Sequence, residues 1–214
     1  KAGNIHQKIL HTEVSTLAET EPLLVEKTPE VMAIVLGWAS KRISPTALSA
    51  YINCPLQFYF KYIARIHVEE DMVDFMESNT FGSIIHDALY QAYLPHLAND
   101  MTKHMLNDIK NHALEVLASG FEQEVGEQRH YGKNHLIWQV ARRLTSNYFD
   151  CERESINDTS LTVLEVERTL EHLFDVNGVS VNLYGHVDRI DRWGDWLRIV
   201  DYKSGIVAQS DLSF

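Results

Sequence analysis

Hydrophobic and polar residues alternate in two runs near the C-terminal end of the chain. The first run covers residues 185–193 (GHVDRIDRW), the second covers residues 196–203 (WLRIVDYK), and Gly194-Asp195 separates them. Alternation with a period of two residues is typical of a half-buried β-strand, and a two-residue connection that contains glycine is typical of a tight hairpin. The pattern therefore predicts a β-hairpin.

The register of this hairpin follows from the pairs that it creates. If Trp193 faces Trp196, then an aromatic pair, the Asp191–Arg198 ion pair and the Ile190–Ile199 aliphatic pair are all formed, and such cross-strand pairs are favourable. The same register places Asp188 opposite Asp201. Directly opposed carboxylates repel each other unless a cation or a proton lies between them.

One face of the second strand carries Leu197, Ile199, Asp201 and Lys203, because alternate residues of a strand share a face. We expect this face to be apolar and buried, and to end in an acid and a lysine. Charges at the end of a buried face indicate a site. The alternative is a solvated ladder of charges on an exposed hairpin.

A further strand is predicted over residues 161–168, where hydrophobic and polar residues again alternate. Asn177-Gly178 is a strong signal for a type I′ turn, and pairing of Val176 with Val179 across it brings Glu167 opposite Asp188. A β-bulge would exchange Glu167 for Glu165. The sequence leaves both arrangements open.

Helical periodicity dominates the chain before these strands. Ser44 and Pro45 form a typical helix start, and Cys54-Pro55 should end or kink that helix. The expected helices are residues 29–39, 44–54, 56–65, 80–94, 101–127 and 134–154. The stripes expected to face the core are Leu106, Ile109, Ala113, Val116 and Leu117 on one long helix and Leu136, Val140, Leu144 and Tyr148 on the next. The prediction is an α+β (or α/β) fold, in which a mostly antiparallel sheet over residues 161–203 is backed by the helices of residues 44–157.

Composition narrows the class of protein. The chain has 214 residues, 45% of them hydrophobic, which is enough for one full core. Its net charge of −11 argues against binding nucleic acid through bulk electrostatics, so any contact with DNA must be local or shared with another part of the protein. The two cysteines form no disulfide framework, and no apolar run approaches the ~20 residues of a membrane span. A reducing cytoplasm fits best.

We expect residues 1–43 to be a connector and residues 44–214 to be one domain. The chain begins with Lys1 rather than methionine and stops shortly after the hairpin, at Phe214. It is therefore expected to be a fragment of a longer protein, with its domain truncated at the C-terminus.

The candidate chemistry lies at the end of the hairpin. Hard cations such as Mg²⁺ and Mn²⁺ bind carboxylate oxygens, so a metal ion would relieve the repulsion between Asp188 and Asp201. Lys203 lies on the face of Asp201, where it could hold a water molecule or neutralise charge on a phosphate. Upstream, Gly82 lies one turn before His86 on the same face of a predicted helix, so a strand or a metal could approach closely there. We expect His86 in the N-terminal part of this helix, with its ring toward the two aspartates, and Gly82 packed against the sheet.

These motifs resemble a known family. Gly-x-x-Asp followed by Asp-x-Lys on a hairpin is similar to the core of the PD-(D/E)xK nucleases. The segments at 185–191 (GHVDRID), 200–205 (VDYKSG), 44–62 (SPTALSAYINCPLQFYFKY) and 80–86 (TFGSIIH) look like the RecB/AddB-type branch. The resemblance implies a restriction-endonuclease-like core and an Mg²⁺ or Mn²⁺ site. The implied metal ligands are His86, Asp188, Asp201, the backbone carbonyl of Tyr202 and, as a third carboxylate, Glu167; the implied catalytic residues are Asp188, Asp201 and Lys203.

The function that this resemblance implies is metal-dependent hydrolysis of DNA, in exonuclease mode, by a module of a helicase–nuclease that acts in DNA repair and recombination. The implied partners are duplex DNA ends or single strands and a helicase subunit or domain, in the cytoplasm of a bacterium. The rival interpretation is a catalytically silent module that binds DNA or a helicase.

Two features of the family depend on segments that the chain lacks. The family continues with a helix bearing Gln and Tyr that lines the active site, so the isolated fragment is expected to be inactive or feeble. In some relatives a cysteine at the position of Cys54 is the first of four ligands of an iron–sulfur cluster. Here that cluster would need cysteines from outside the chain, and the alternative for Cys54 is a buried, inert thiol.

Overall fold

The computed structural model describes residues 23–66 and 76–205. The α-helices are α1 (Pro29–Ala39), α2 (Pro45–Asn53), α3 (Pro55–Phe58), α4 (Ser78–Tyr93), α5 (Lys103–Val125) and α6 (Gly132–Ser155). A π-helical turn at Tyr59–Ile63 continues α3, and 3₁₀ turns at Leu94–His96 and Gly126–His130 follow α4 and α5. The strands are β1 (Leu161–Val176), β2 (Val179–Trp193) and β3 (Trp196–Val200). Among the described residues, no helix is both long and apolar enough to cross a membrane.

The helix boundaries near the N-terminus follow from local capping. The hydroxyl of Ser44 accepts a hydrogen bond from the N–H of Ala47 at 3.2 Å, and Pro45 occupies the first turn of α2. Cys54 separates α2 from α3 in an extended conformation, as expected for a residue that precedes proline. The predicted start and break are both confirmed.

The strands form one antiparallel sheet in the order β1-β2-β3. Val176 pairs with Val179, and both Asn177 and Gly178 have positive φ, as a type I′ turn requires. The predicted register of the second hairpin is also confirmed, since its turn pairs Trp193 with Trp196. The ladder ends where Arg189 pairs with Val200.

The main core lies between the long helices and the beginning of the sheet. Its buried apolar residues come mainly from α4, α5 and α6, and Leu161 and Val163 of β1 close it. On α5 the expected stripe is buried at Leu106, Ile109, Ala113 and Leu117 and half-buried at Val116. This α+β arrangement agrees with the predicted fold.

The stripe predicted for α6 is wrong. Leu136, Val140 and Leu144 are 65%, 43% and 44% exposed, and of the four predicted residues Tyr148 alone packs against the core. The buried face of α6 instead carries Asn134, Ala141, Thr145, Phe149 and Glu152. Of its polar members, Asn134 accepts the backbone N–H of Met76 at 3.0 Å and Glu152 binds Arg189 at 3.2 Å. The buried Thr145 hydroxyl has no hydrogen-bond partner within the described part of the chain. The periodicity of apolar residues could not identify a face that is buried through polar contacts.

The prediction that the outer face of β3 is buried is also wrong. Leu197 and Ile199 are 68% and 64% exposed. Arg198, on the opposite face of β3, reaches Glu152 of α6 at 3.6 Å. The helices therefore cover the face that carries Arg198, which leaves the other face of the strand open.

The predicted division of the chain at residue 43 stays a prediction. Its connector, residues 1–43, lies partly outside the described residues, as does the end of the domain at 206–214. At the proposed boundary the backbone N–H of Ile43 donates to the carbonyl of Asn182 at 2.8 Å, and the N–H of Tyr184 donates to the carbonyl of Ile43 at 3.0 Å. The residues just before α2 are thus held against β2.

Candidate metal centre

Three elements bring one side chain each to a common point. His86 of α4, Glu167 of β1 and Asp188 of β2 offer a ring nitrogen and two carboxylate oxygens that all lie within 4.8 Å of one another. His86 Nδ1 is 3.4 Å from Asp188 Oδ1 and 3.9 Å from Glu167 Oε1. Bonds of ~2.0–2.6 Å from a central divalent ion would separate its ligand atoms by about these distances. The donor set therefore fits a hard divalent cation.

His86 lies near the middle of α4, the ninth of its 16 residues, rather than in its N-terminal part as predicted. Gly82, one turn earlier, lets the chain that follows β3 come close: a Cβ at this position would be 3.2 Å from Ser204 Oγ. We expected Gly82 to pack against the sheet, and the contact is instead with the segment just beyond it.

Glu167 lies across the sheet from Asp188. Its neighbours Val166 and Arg168 pair with Arg189 and Val187, which places Glu167 between them at the level of Asp188. The register shift of β1 falls between Val163 and Glu165, before this point. Of the two arrangements that the sequence left open, the structure thus has Glu167 at the site.

The backbone of Tyr202 completes this group. Its N–H donates to Asp188 Oδ2 at 2.5 Å, and its carbonyl oxygen is 3.0 Å from His86 Nε2. Because a carbonyl can only accept, Nε2 of His86 donates this hydrogen bond, and Nδ1 is the nitrogen that faces the carboxylates. Nδ1 carries a proton when the histidine is charged and offers a lone pair to a metal when the ring is neutral. Metal-binding histidines commonly donate their other ring N–H in this way.

Asp201 does not join the group in this structure. It lies just past the end of β3, and its carboxylate is 2.7 Å from the Lys203 ammonium, with both side chains more than half exposed. Lys203 is still close enough for its charge to contribute to a lowered pKa of Asp188. The roles of Asp201 and Lys203 stay predictions.

The charges of the site influence one another. Burial would raise the pKa of Asp188, but hydrogen bonds from His86 and from the Tyr202 N–H outweigh it and lower that pKa below its usual value. The pKa of Glu167 is raised, by burial and then by the charge of Asp188. The pKa of His86 is raised chiefly by its hydrogen bond to Asp188. A cation between these groups would remove the repulsion between the two carboxylates.

A buried ionic network supports the site from the helical side, and sequence reasoning missed it. The Arg189 side chain is 1% exposed and donates to both Glu152 oxygens at 3.2 Å and to the Tyr148 hydroxyl at 2.5 Å. Asp191 binds Arg189 at 2.9 Å and also binds Arg198 through two hydrogen bonds of 3.0 Å. The alternation of β2 was the available signal, because it placed Arg189 and Asp191 on the same face.

An open cleft of about 590 Å³ leads to the group. Its lining residues are Ser78, Asn79, Gly82, Ser83, His86, Asp87, Tyr90, Glu167 and Ser204. These residues are polar or small, and none is a lysine or arginine. The cleft is therefore suited to a ligand that reaches the site through the metal and hydrogen bonds rather than through basic side chains.

The two cysteines are too few to form an iron–sulfur site by themselves, and a cluster completed by other segments stays a prediction. Both Cys54 and Cys151 are exposed, so the expectation of a buried thiol at Cys54 is wrong. Cys54 Sγ accepts the N–H of Gln57 at 3.5 Å and caps α3. Because a cubane or rhombic cluster usually takes four cysteine thiolates, the two in this chain cannot hold one on their own.

A histidine and two carboxylates gathered on a helix-backed antiparallel sheet form a donor set of the kind that binds a divalent metal ion. The comparison with family models identifies the family: the model of the PD-(D/E)XK nuclease superfamily matches residues 42–213, and the chain belongs to this superfamily. The resemblance seen in the sequence motifs is confirmed.

The chain is also similar to part of a larger curated protein, an ATP-dependent helicase/deoxyribonuclease subunit of Carboxydothermus hydrogenoformans. The two are 26% identical over 185 residues, which cover 80% of this chain and 17% of that protein. The chain thus spans about a sixth of the length of this relative. The similarity to a helicase/deoxyribonuclease subunit agrees with the predicted RecB/AddB-type branch.

Proposed function

We propose that this chain is a metal-dependent deoxyribonuclease module that hydrolyses phosphodiester bonds in DNA. The observation that carries the proposal is the meeting of His86, Glu167 and Asp188 within 4.8 Å at the end of an open cleft. Mg²⁺ or Mn²⁺ is the proposed ion, because two of the three donors are carboxylate oxygens. When bound, such an ion polarises a phosphoryl oxygen and lowers the pKa of a water molecule.

The residues around this ion have different proposed roles. Asp188 and Glu167 supply negative oxygen ligands, and His86 supplies Nδ1 while its other nitrogen is held by the Tyr202 carbonyl. Lys203 is the proposed partner of the attacking water or of the charge that develops on the phosphate. Asp201 holds the Lys203 ammonium at 2.7 Å and is proposed to approach the ion when DNA is bound.

The proposed setting is a helicase–nuclease of DNA repair and recombination, with exonuclease action on duplex ends or single strands. This part of the proposal is supported by the similarity to a helicase/deoxyribonuclease protein. Because a net charge of −11 gives little attraction to DNA, we propose that a helicase subunit or domain delivers the DNA and that this module cuts it.

A second candidate is a catalytically silent module that binds DNA or a helicase. The position of Asp201 favours it, because this acid is paired with Lys203 and is outside the group of His86, Glu167 and Asp188. Metal binding together with hydrolysis would exclude this candidate. Metal binding without hydrolysis, in the full protein with its helicase, would favour it.

The test compares Asp188→Asn with Asp195→Asn, a matched change at an exposed aspartate in the hairpin turn. Calorimetric titration with Mn²⁺ and hydrolysis of linear duplex and single-stranded DNA are measured for each variant, in the longer protein for activity. We expect Asp188→Asn to lose both and Asp195→Asn to retain both. Equal Mn²⁺ affinity in the two variants would contradict the proposal.

A further inference from the structure

The Glu167 carboxylate is contacted from two sides. Its Oε1 is 3.9 Å from His86 Nδ1, within the proposed metal group, whereas its Oε2 is 3.5 Å from Nε2 of His186. His186 lies two residues before Asp188 on β2, so the two side chains share a face of the strand. His186 is 59% exposed and is not a member of the group of three ligands.

The ring of His186 is held in this orientation by its other nitrogen. Nδ1 lies 2.9 Å from the hydroxyl oxygen of Thr169, the residue that pairs with His186 across the sheet. When the hydroxyl donates to Nδ1, the ring proton of neutral His186 is on Nε2, where it faces Glu167. The sheet register thus aligns Thr169, His186 and Glu167 as a chain of contacts that ends at the proposed metal.

Glu167 needs such support for two reasons. Its φ of +48° lies in the left-handed region, which is unfavourable for a residue with a side chain, and such a conformation persists where surrounding contacts determine it. Its carboxylate is also placed beside that of Asp188, and the repulsion contributes to its raised pKa. A long, flexible side chain in this position would otherwise turn away from Asp188 towards solvent.

We propose that His186, oriented by Thr169, is a positioning residue that holds Glu167 as a metal ligand. The inference rests on the proposed function, because it assigns a role to a residue next to the proposed ion. His186 contacts Oε2 and leaves Oε1 directed at the site. Residues that orient a metal ligand in this way typically contribute 10–100-fold to metal affinity or activity.

The experiment uses His186→Ala, His186→Gln and Thr169→Val, with His172→Ala as a matched control. His172 is another exposed histidine of the same sheet, on β1, and is remote from the group in the strand register. Calorimetric titration with Mn²⁺ gives the dissociation constant for each variant. The metal dependence of DNA hydrolysis by the longer protein separates the KM for Mn²⁺ from kcat.

We expect His186→Ala to raise the Mn²⁺ dissociation constant roughly 10-fold and to leave kcat at saturating Mn²⁺ nearly unchanged. His186→Gln should restore most of the affinity, because the glutamine amide can donate near the place of Nε2. Thr169→Val should give a smaller loss than His186→Ala, and His172→Ala none. Melting curves without metal identify any variant that fails to fold, and the remaining variants then test the positioning role of His186.

Equal Mn²⁺ affinity in His186→Ala and the unmodified protein would overturn the inference, as would an equal loss in His172→Ala. Asp188→Asn, titrated beside them, separates this failure from that of the proposed function. If Asp188→Asn loses Mn²⁺ while His186→Ala does not, only the role of His186 is wrong. If Asp188→Asn also binds Mn²⁺ normally, the metal site itself is wrong.

Discussion

At the scale of single residues, Tyr202 connects two parts of the molecule. Its backbone binds Asp188 and His86, whereas its ring packs edge-on against Tyr148 at 5.6 Å between centroids, and its hydroxyl is 3.4 Å from the Tyr148 hydroxyl. A partly buried side chain therefore fixes the position of a peptide group at the candidate metal centre. The middle residue of the Asp-x-Lys motif has a structural role here in addition to the chemistry proposed for its neighbours.

The phenol of Tyr202 gives a prediction for stability at high pH. Burial raises its pKa from 10.0 to about 12, so the folded protein holds this proton more tightly than the unfolded chain does. We expect the free energy of unfolding to be insensitive to this group below pH 10 and to fall as the pH rises from 10 to 12. Urea titrations across this range would show it, and Tyr202→Phe should lessen the fall. An identical pH profile in Tyr202→Phe would contradict the prediction.

Lys203 gives a prediction about rate. Lys203→Ala in the longer protein should lower the rate of DNA hydrolysis by ~10²–10³ and leave Mn²⁺ affinity nearly unchanged, because an ammonium group acts on the water or on the transition-state charge and not on the bound metal. Asp201→Ala is predicted to lose both. Calorimetry beside a nuclease assay on linear duplex measures the two effects. Undiminished hydrolysis by Lys203→Ala at saturating Mg²⁺ would show that DNA hydrolysis does not take place at this site.

At the scale of elements, β2 is the strand on which the site depends. Asp188 faces His86 at the candidate metal centre, whereas its neighbour Arg189 faces the buried network with Glu152 on α6 and Asp191 on β2 itself. Alternation of the strand thus separates the proposed metal ligand from the buried guanidinium. The network fixes α6 against the sheet and indirectly fixes the level of Asp188.

The network gives a prediction for stability. Arg189→Ala should lower the free energy of unfolding by about 3–5 kcal/mol, because it leaves the carboxylates of Glu152 and Asp191 buried without this partner. Arg168→Ala is the matched control: its ion pair with Glu165 at 3.2 Å is exposed, and such pairs contribute about 0–1 kcal/mol. Chemical denaturation measures both. Similar losses in the two variants would show that the buried network has no special role.

The elements also show where sequence reasoning succeeds and where it fails. The register of the second hairpin was predictable, because its aromatic, ionic and aliphatic pairs agree on one alignment. The buried face of α6 was not, because it is formed by Asn134 and Glu152, whose burial depends on the partners Met76 and Arg189 from distant parts of the chain. Asp201 was placed opposite Asp188 because the pattern does not show that the ladder ends at Val200.

At the scale of the whole molecule, the distribution of charge limits what the chain can bind by itself. The net charge is −11, and among residues 23–66 and 76–205 neither a lysine nor an arginine lines the cleft beside the metal group. At the cleft itself, attraction to a phosphate would therefore come from the proposed metal ion and from Lys203. This distribution agrees with the proposal that another part of the protein presents the strand to be cut.

This charge distribution predicts weak DNA binding by the isolated chain. We expect binding of a single-stranded oligonucleotide, followed by fluorescence anisotropy with Ca²⁺ in place of Mg²⁺, to be weak and to depend only shallowly on salt concentration, because few phosphates are neutralised. A longer protein that contains the proposed helicase should bind tightly, with a steeper dependence on salt concentration. Tight, steeply salt-dependent binding by the isolated chain would reveal a basic surface that the net charge conceals.

The distance along the chain between the members of the site has a consequence for how the protein is made. His86 and the Tyr202 carbonyl that it binds are 116 residues apart, whereas α4, α5 and α6 contact one another through nearby parts of the chain. During synthesis the helices can therefore form first, and contacts between distant residues close late. The group of His86, Glu167, Asp188 and Tyr202 is complete only after the last of them has left the ribosome. A partly made chain thus has not yet assembled the candidate metal centre.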